Sequence, residues 1–177
     1  MALPSLENTA NRQERFPRLG CGNSSGDHLK ASIARVQGDF KNANCAKDFK
    51  DPNAAINKAT QVGFSDQGTP NFNSVNGQVV PAAHSPGLGR YNPFTRSINL
   101  NAAINWVNPA NTNATLSGQP YNYNALAAMA NFLGVPSVSG AQLMDITILQ
   151  ELSHYKGAIG NPDNPSVEKS LWNDCIN

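Results

Sequence analysis

Charge is scarce in this chain: Asp, Glu, Lys and Arg make up 14% of its 177 residues, well below the quarter or so usual in globular domains. The few charges nearly cancel, leaving a formal net charge of +1 with no block of Lys or Arg. That excludes the electrostatic footprint of a nucleic-acid binder or of a protein drawn to anionic membranes, and neither partner is expected. No apolar run reaches the roughly 20 residues of a membrane span, and the opening Met1-Ala2-Leu3-Pro4-Ser5-Leu6-Glu7 lacks the basic and apolar regions of a signal peptide. Cysteine is nearly absent as well. Cys21, Cys45 and Cys175 lack the paired close spacing of a zinc knuckle, and they allow one disulfide with one thiol left over. We expect a bridge tying Cys175 to the helical N-terminal half, with its partner left open. What the chain has instead is Asn, Ser, Gly and Pro, a composition that suits a loop-rich extracellular domain. The expected location is secreted or periplasmic, with the leader not part of this sequence.

The length supports one domain with a real core and not two. Residues 1–26 are polar and irregular and read as a flexible N-terminal arm; residues 27–177 read as a single domain. Leu29, Ile33, Val36 and Phe40 recur at steps of four, three and four, which predicts a helix capped by Asp27. A second helix is expected near Pro52, burying Ala55, Ile56, Ala59 and Val62 and ending at Gly63. From Phe64 to Pro93 the chain reads as a long loop with at most one strand, and Asn105 to Pro120 reads as loop again. Between them, Arg96 to Asn101 alternates polar and apolar residues and is the best strand candidate. A short helix from Ala125 to Leu133, with Asn124 as cap and Gly134 as stop, precedes an amphipathic helix over Gly140 to Lys156. Ser139 and Gln142 have capping-box spacing, and Met144, Ile148, Leu149 and Leu152 form the apolar stripe of this longer helix. Gly157 and Gly160 are expected to end it. A last helix is expected from Ser166 to Asn173. Two sequons, Asn23-Ser24-Ser25 and Asn113-Ala114-Thr115, matter only in a glycosylating host.

The Gly140 to Lys156 helix carries Gln150-Glu151-Leu152-Ser153-His154. This is H-E-x-x-H with its first histidine replaced by glutamine. In the intact motif two imidazoles one turn apart hold Zn²⁺, and the glutamate acts as general base on the metal-bound water. Gln150 and His154 project from one edge of the helix; Glu151 is rotated by about 100° and still reaches a shared centre. The stretch from Ile146 to Gly157 resembles the active helix of bacterial secreted zincin-like metallopeptidases. The likeness covers the chain from the Ile98 to Asn101 strand to the end, and its specific part is the dozen residues around the motif.

The resemblance implies an α+β fold, helix-rich, with a small sheet over the active helix and long Asn/Gly/Pro-rich loops. It implies Glu151 as catalytic base and a zinc set of His154, Gln150 and a third ligand from beyond the helix. Asp163, in Gly160-Asn161-Pro162-Asp163, resembles the aspartate of the aspzincin group, and Glu168 resembles the glutamate that gluzincins supply from a following helix. His28 and His84 are expected at the surface; His84 sits in a loop long enough to fold over a cleft. Arg90, Tyr91 and Tyr155 are candidates to stabilise an oxyanion. An amide is a far poorer donor to zinc than imidazole, so zinc is expected to bind weakly. The expected function is a zincin-fold protein with little or no catalysis that uses its cleft to bind a peptide or protein. The alternatives are an active zinc metallopeptidase and a form silenced by engineering at Gln150.

Overall fold

The computed structural model describes residues 24–156 and 165–177. Its elements run α1 (Ser25–Asp39), α2 (Ala43–Ala46), α3 (Pro52–Ala59), β1 (Gly63–Ser65), β2 (Asn71–Val75), β3 (Gln78–Pro81), β4 (Gly89–Asn92), β5 (Ser97–Asn101), β6 (Thr112–Leu116), β7 (Gln119–Tyr123), α4 (Ala125–Leu133), α5 (Gly140–Lys156) and α6 (Pro165–Leu171). One turn of π-helix over Trp172–Ile176 closes the chain. The mixed α+β class is therefore as expected.

Local chemistry sets the helix ends. Ser24, and not Asp27, caps α1: the Ser24 hydroxyl accepts the Asp27 amide and donates to the Asp27 carboxylate at 2.6 Å. Asp27 sits inside the first turn, where its charge opposes the positive end of the helix dipole. Asp51 accepts the Ala54 amide ahead of Pro52, and Asn124 accepts the Ala127 amide at the start of α4. Gly134 stops α4 at φ 76°, a left-handed conformation that side-chain-bearing residues rarely adopt. Ser139 and Gln142 make the reciprocal capping box, Gln142 amide to Ser139 hydroxyl at 3.2 Å and Ser139 amide to Gln142 carbonyl oxygen at 3.0 Å.

Helix α5 is the centre of the molecule. The expected amphipathic stripe understates its burial, since every residue from Leu143 to Leu149 is buried, as are Glu151, Leu152 and Ser153. A helix buried all round needs neighbours all round. It packs on α1 and α3, on β4 and β5, and on α4, α6 and the π turn. Met144, Ile148, Leu149 and Leu152 are each no more than 1% exposed, so truncating one to alanine costs about 2–5 kcal/mol. The buried Asp145 is held by Arg35 of α1, whose Nε and Nη2 donate to the two carboxylate oxygens at 2.7 and 3.0 Å.

Two sheets form where one small sheet was expected. The three-stranded sheet has the order β1-β5-β4, with β1 parallel and β4 antiparallel to β5. The expected strand is β5, whose Ile98 and Leu100 are fully buried. The second sheet has the order β3-β2-β6-β7 and occupies the segments expected to be loops. Its strands are short, Asn-rich and largely exposed, so no apolar alternation announces them. Its hairpins turn at Asn76-Gly77 (φ 51° and 77°) and Ser117-Gly118 (φ 49° and 80°), two-residue turns with both central residues left-handed.

The single bridge is Cys45–Cys175, joining α2 to the π turn. It agrees with the expected tie of Cys175 to the N-terminal half. The last helix begins one residue earlier than expected and ends at Leu171, where the π turn takes over. The proposed N-terminal arm as far as Asn23, and the Gly157 and Gly160 stop, lie outside the described residues. Among the described residues no helix is long and apolar enough to cross a membrane.

Candidate functional site

The motif helix and the β4 strand meet at Gly89. A Cβ built there would stand 3.0 Å from Thr147 Cγ2, 3.1 Å from Glu151 Cγ and 3.1 Å from Glu151 Oε1. Contacts this short are tighter than almost all real Cβ contacts, so a glycine lets the strand lie against the helix with no neighbour displaced. The contact places β4 directly against the motif glutamate, which is 5% exposed.

Strand β4 is also an edge. The Asn101 amide donates to the Leu88 carbonyl at 2.8 Å, and the register pairs Gly89 with Leu100 and Arg90 with Asn99. In an antiparallel ladder alternate residues exchange both bonds with the partner strand. Leu88 and Arg90 therefore turn their backbone groups toward β5, and Gly89 and Tyr91 turn theirs to the other side, where no strand pairs among the described residues. That side borders a cleft of about 360 Å³ lined by Gly87, Leu88, Gly89, Arg90, Tyr91, Met129, Thr147, Gln150, Glu151, His154 and Glu168.

The cleft rim before β4 is pinned by one fully buried side chain. Asn101 Nδ2 donates to the carbonyls of Gly68 and Gly87 at 3.0 and 3.1 Å, while its Oδ1 accepts the amides of Gln67 and Ala103. Its backbone carbonyl takes the Trp106 indole N–H at 2.9 Å. Nothing in the period-two pattern of β5 distinguished Asn101 from an ordinary polar strand residue. Asn101 closes the most buried strand among the described residues, where a polar side chain has to find partners.

Of the residues named from sequence, Gln150, Glu151, His154 and Glu168 all line this one cleft, as do Arg90 and Tyr91. The side chains of Gln150 and His154 approach each other, Nε2 to Nε2, at 3.4 Å, as the four-residue spacing requires. Glu168 arrives from the first turn of α6, and burial pushes its carboxyl above the usual glutamate range. Asp163 lies outside the described residues. Tyr155 does not line the cleft. Its ring packs edge-on to Tyr91, centroids 6.0 Å apart, with the Lys58 ammonium 5.3 Å from its centroid. His84 is exposed and His28 half-buried, and neither lines the cleft.

For zinc, the donor set is poor. Among the described residues no three His, Cys, Asp or Glu side chains come together as a group able to hold a metal ion. At the cleft one imidazole and the Glu168 carboxylate stand with a neutral amide where the resemblance calls for a second imidazole. These residues do not fit a tight tetrahedral zinc site. The chemistry they do offer is a buried carboxylate and an imidazole in one cleft, next to a strand edge unpaired among the described residues, with Leu88 and Met129 as apolar wall. Compared with protein-family models, curated proteins and solved structures, the chain matches none of them.

Proposed function

We propose that this is a zincin-fold protein, secreted or periplasmic, with a degenerate zinc site. Its cleft binds a peptide, or an extended segment of a protein, and hydrolyses it slowly or not at all. The observation that carries the reading is the edge of β4, unpaired among the described residues, lying against the motif helix at Gly89, over Glu151. An extended peptide gains main-chain hydrogen bonds by adding to such an edge, and side-chain selectivity from the cleft beneath it. The Cys45–Cys175 bridge suits an oxidising compartment.

The donor set supports weak metal binding at most. Losing even a partner behind a metal ligand costs roughly 10- to 100-fold in affinity, and here a ligand itself is exchanged. The test is zinc content and calorimetric zinc affinity of the chain beside its Gln150→His variant. Uptake by the variant alone is the expected result; uptake by neither sinks the zincin reading. Stoichiometric zinc in the unmodified chain would favour the active metallopeptidase, for which Glu151 stands in the position of the base. Peptide cleavage lost in Glu151→Ala would then establish it.

A further inference from the structure

We propose that Glu168 is the specificity-determining residue of this cleft, and that it selects an ammonium group of the bound peptide, from a lysine side chain or a free N-terminus. The inference rests on the peptide-binding reading above and names the class of peptide.

Glu168 is brought to the cleft by α6, whose end is held firmly. Leu171 and Trp172 are buried, Cys175 is bridged to Cys45, and Ser170 donates to Asp174 at 3.2 Å. The carboxylate is therefore presented by a fixed element and not by a loose side arm. Among the described residues no hydrogen bond or ion pair engages it; Arg35 is committed to Asp145 and Lys47 to Asp174. A half-buried carboxylate that faces a cleft and has no partner among the described residues favours a ligand that supplies positive charge.

The rest of the cleft fits the same group. Leu88 and Met129 give an apolar wall for a methylene stem, and long cationic side chains bury such stems while the charge finds a polar partner. The amide and carbonyl groups of Gly89 and Tyr91 would hold the peptide backbone alongside. Arg90 lies on the same face of β4 as Leu88, also lines the cleft, and is exposed.

The test is an amide-resolved NMR titration of the full chain with three probes: acetyl-Ala-Ala-Lys-Ala-amide, its norleucine counterpart, and Ala-Ala-norleucine-Ala-amide with a free N-terminus. Saturable shifts at Gly89 and Tyr91 report binding. The expected result is that the lysine peptide, the free-amine peptide or both bind roughly tenfold or more tightly than the neutral one. Glu168→Gln should erase that preference and leave the neutral peptide unchanged. Which cationic probe wins tells side chain from N-terminus. The glutamine variant is isosteric and relieves a desolvation cost, so its fold is retained, and an unchanged amide spectrum checks this. Equal binding of all three probes, or a cation preference that survives Glu168→Gln, overturns the inference while leaving peptide binding intact. If no probe moves Gly89 or Tyr91, the peptide-binding reading falls and this inference falls with it.

Discussion

Replacing Gly89 by alanine tests the contact on which the site depends. In a strand, glycine is ordinarily worse than alanine by roughly 0.5–1 kcal/mol, because it loses more backbone freedom on folding. Absent any clash, Gly89→Ala should therefore stabilise. Here the new methyl meets Thr147 Cγ2 at 3.0 Å and Glu151 at 3.1 Å. Thr147 cannot simply turn away, since its hydroxyl donates to the Leu143 carbonyl at 2.7 Å. Glu151 is 5% exposed, which limits how far it can move aside. Overpacking of this kind costs about 1–3 kcal/mol, and the net expectation is a loss of about 1–2 kcal/mol after the entropic gain. For a chain of this length that is a fall in Tm of about 2–8 °C. Urea unfolding followed by fluorescence reads it directly, because Trp106 and Trp172 are both buried. Thr147→Ser keeps the hydroxyl and removes Cγ2, so in the Gly89→Ala background it should recover part of the loss. Gly38→Ala is the control: a Cβ there meets nothing within 4 Å, and it should stabilise α1 by up to about 1 kcal/mol. A neutral or stabilising Gly89→Ala, or no rescue by Thr147→Ser, would refute the placement of β4 on the motif helix.

Other expectations follow from the same structure. Removing the Cys45–Cys175 bridge, which spans 130 residues of chain, should cost about 2–5 kcal/mol in denaturant unfolding, because it frees a very long loop in the unfolded state. Arg35→Met should cost about 3–5 kcal/mol at neutral pH by stranding the buried Asp145 carboxylate; adding Asp145→Leu should recover most of it. Asp48 is raised above its ordinary value of 3.8 first by burial, then by the neighbouring Asp174 carboxylate. The folded chain thus holds that proton more tightly than the unfolded one. Its contribution to stability is full below pH 3.8 and is lost as pH rises through the folded value. Tm measured across that interval should fall less steeply in Asp48→Asn than in the parent chain.

Residues whose signals act locally were legible, and those that depend on a distant partner were not. The Asn124, Gly134 and Ser139/Gln142 signals place α4 and the start of α5 correctly because a cap is satisfied within four residues. The first helix was also legible, though its cap is Ser24, since a hydroxyl five residues ahead of Leu29 was overlooked in favour of a nearer carboxylate. The second sheet was missed because its strands carry little apolar alternation. Asn76-Gly77 and Ser117-Gly118 were the readable hairpin signals. The motif residues Gln150, Glu151 and His154 share a helix and so share a cleft by periodicity alone.

By itself, then, the sequence determined α1, α3, α4, α5 and α6, the β5 strand, and the spacing that turns Gln150 and His154 to one edge of a helix; the short α2 it did not signal. Each follows from chemistry within one or two turns of chain. Only the tertiary structure decided that β4 becomes an edge over Glu151, that Cys45 is the partner of Cys175, and that Glu168 enters the cleft. Those outcomes join segments as far as 130 residues apart, and they depend on how the faces of α5 are covered. No local propensity encodes that, because a short strand such as Gly89–Asn92 has no burial pattern of its own until β5 and the motif helix supply its two neighbours.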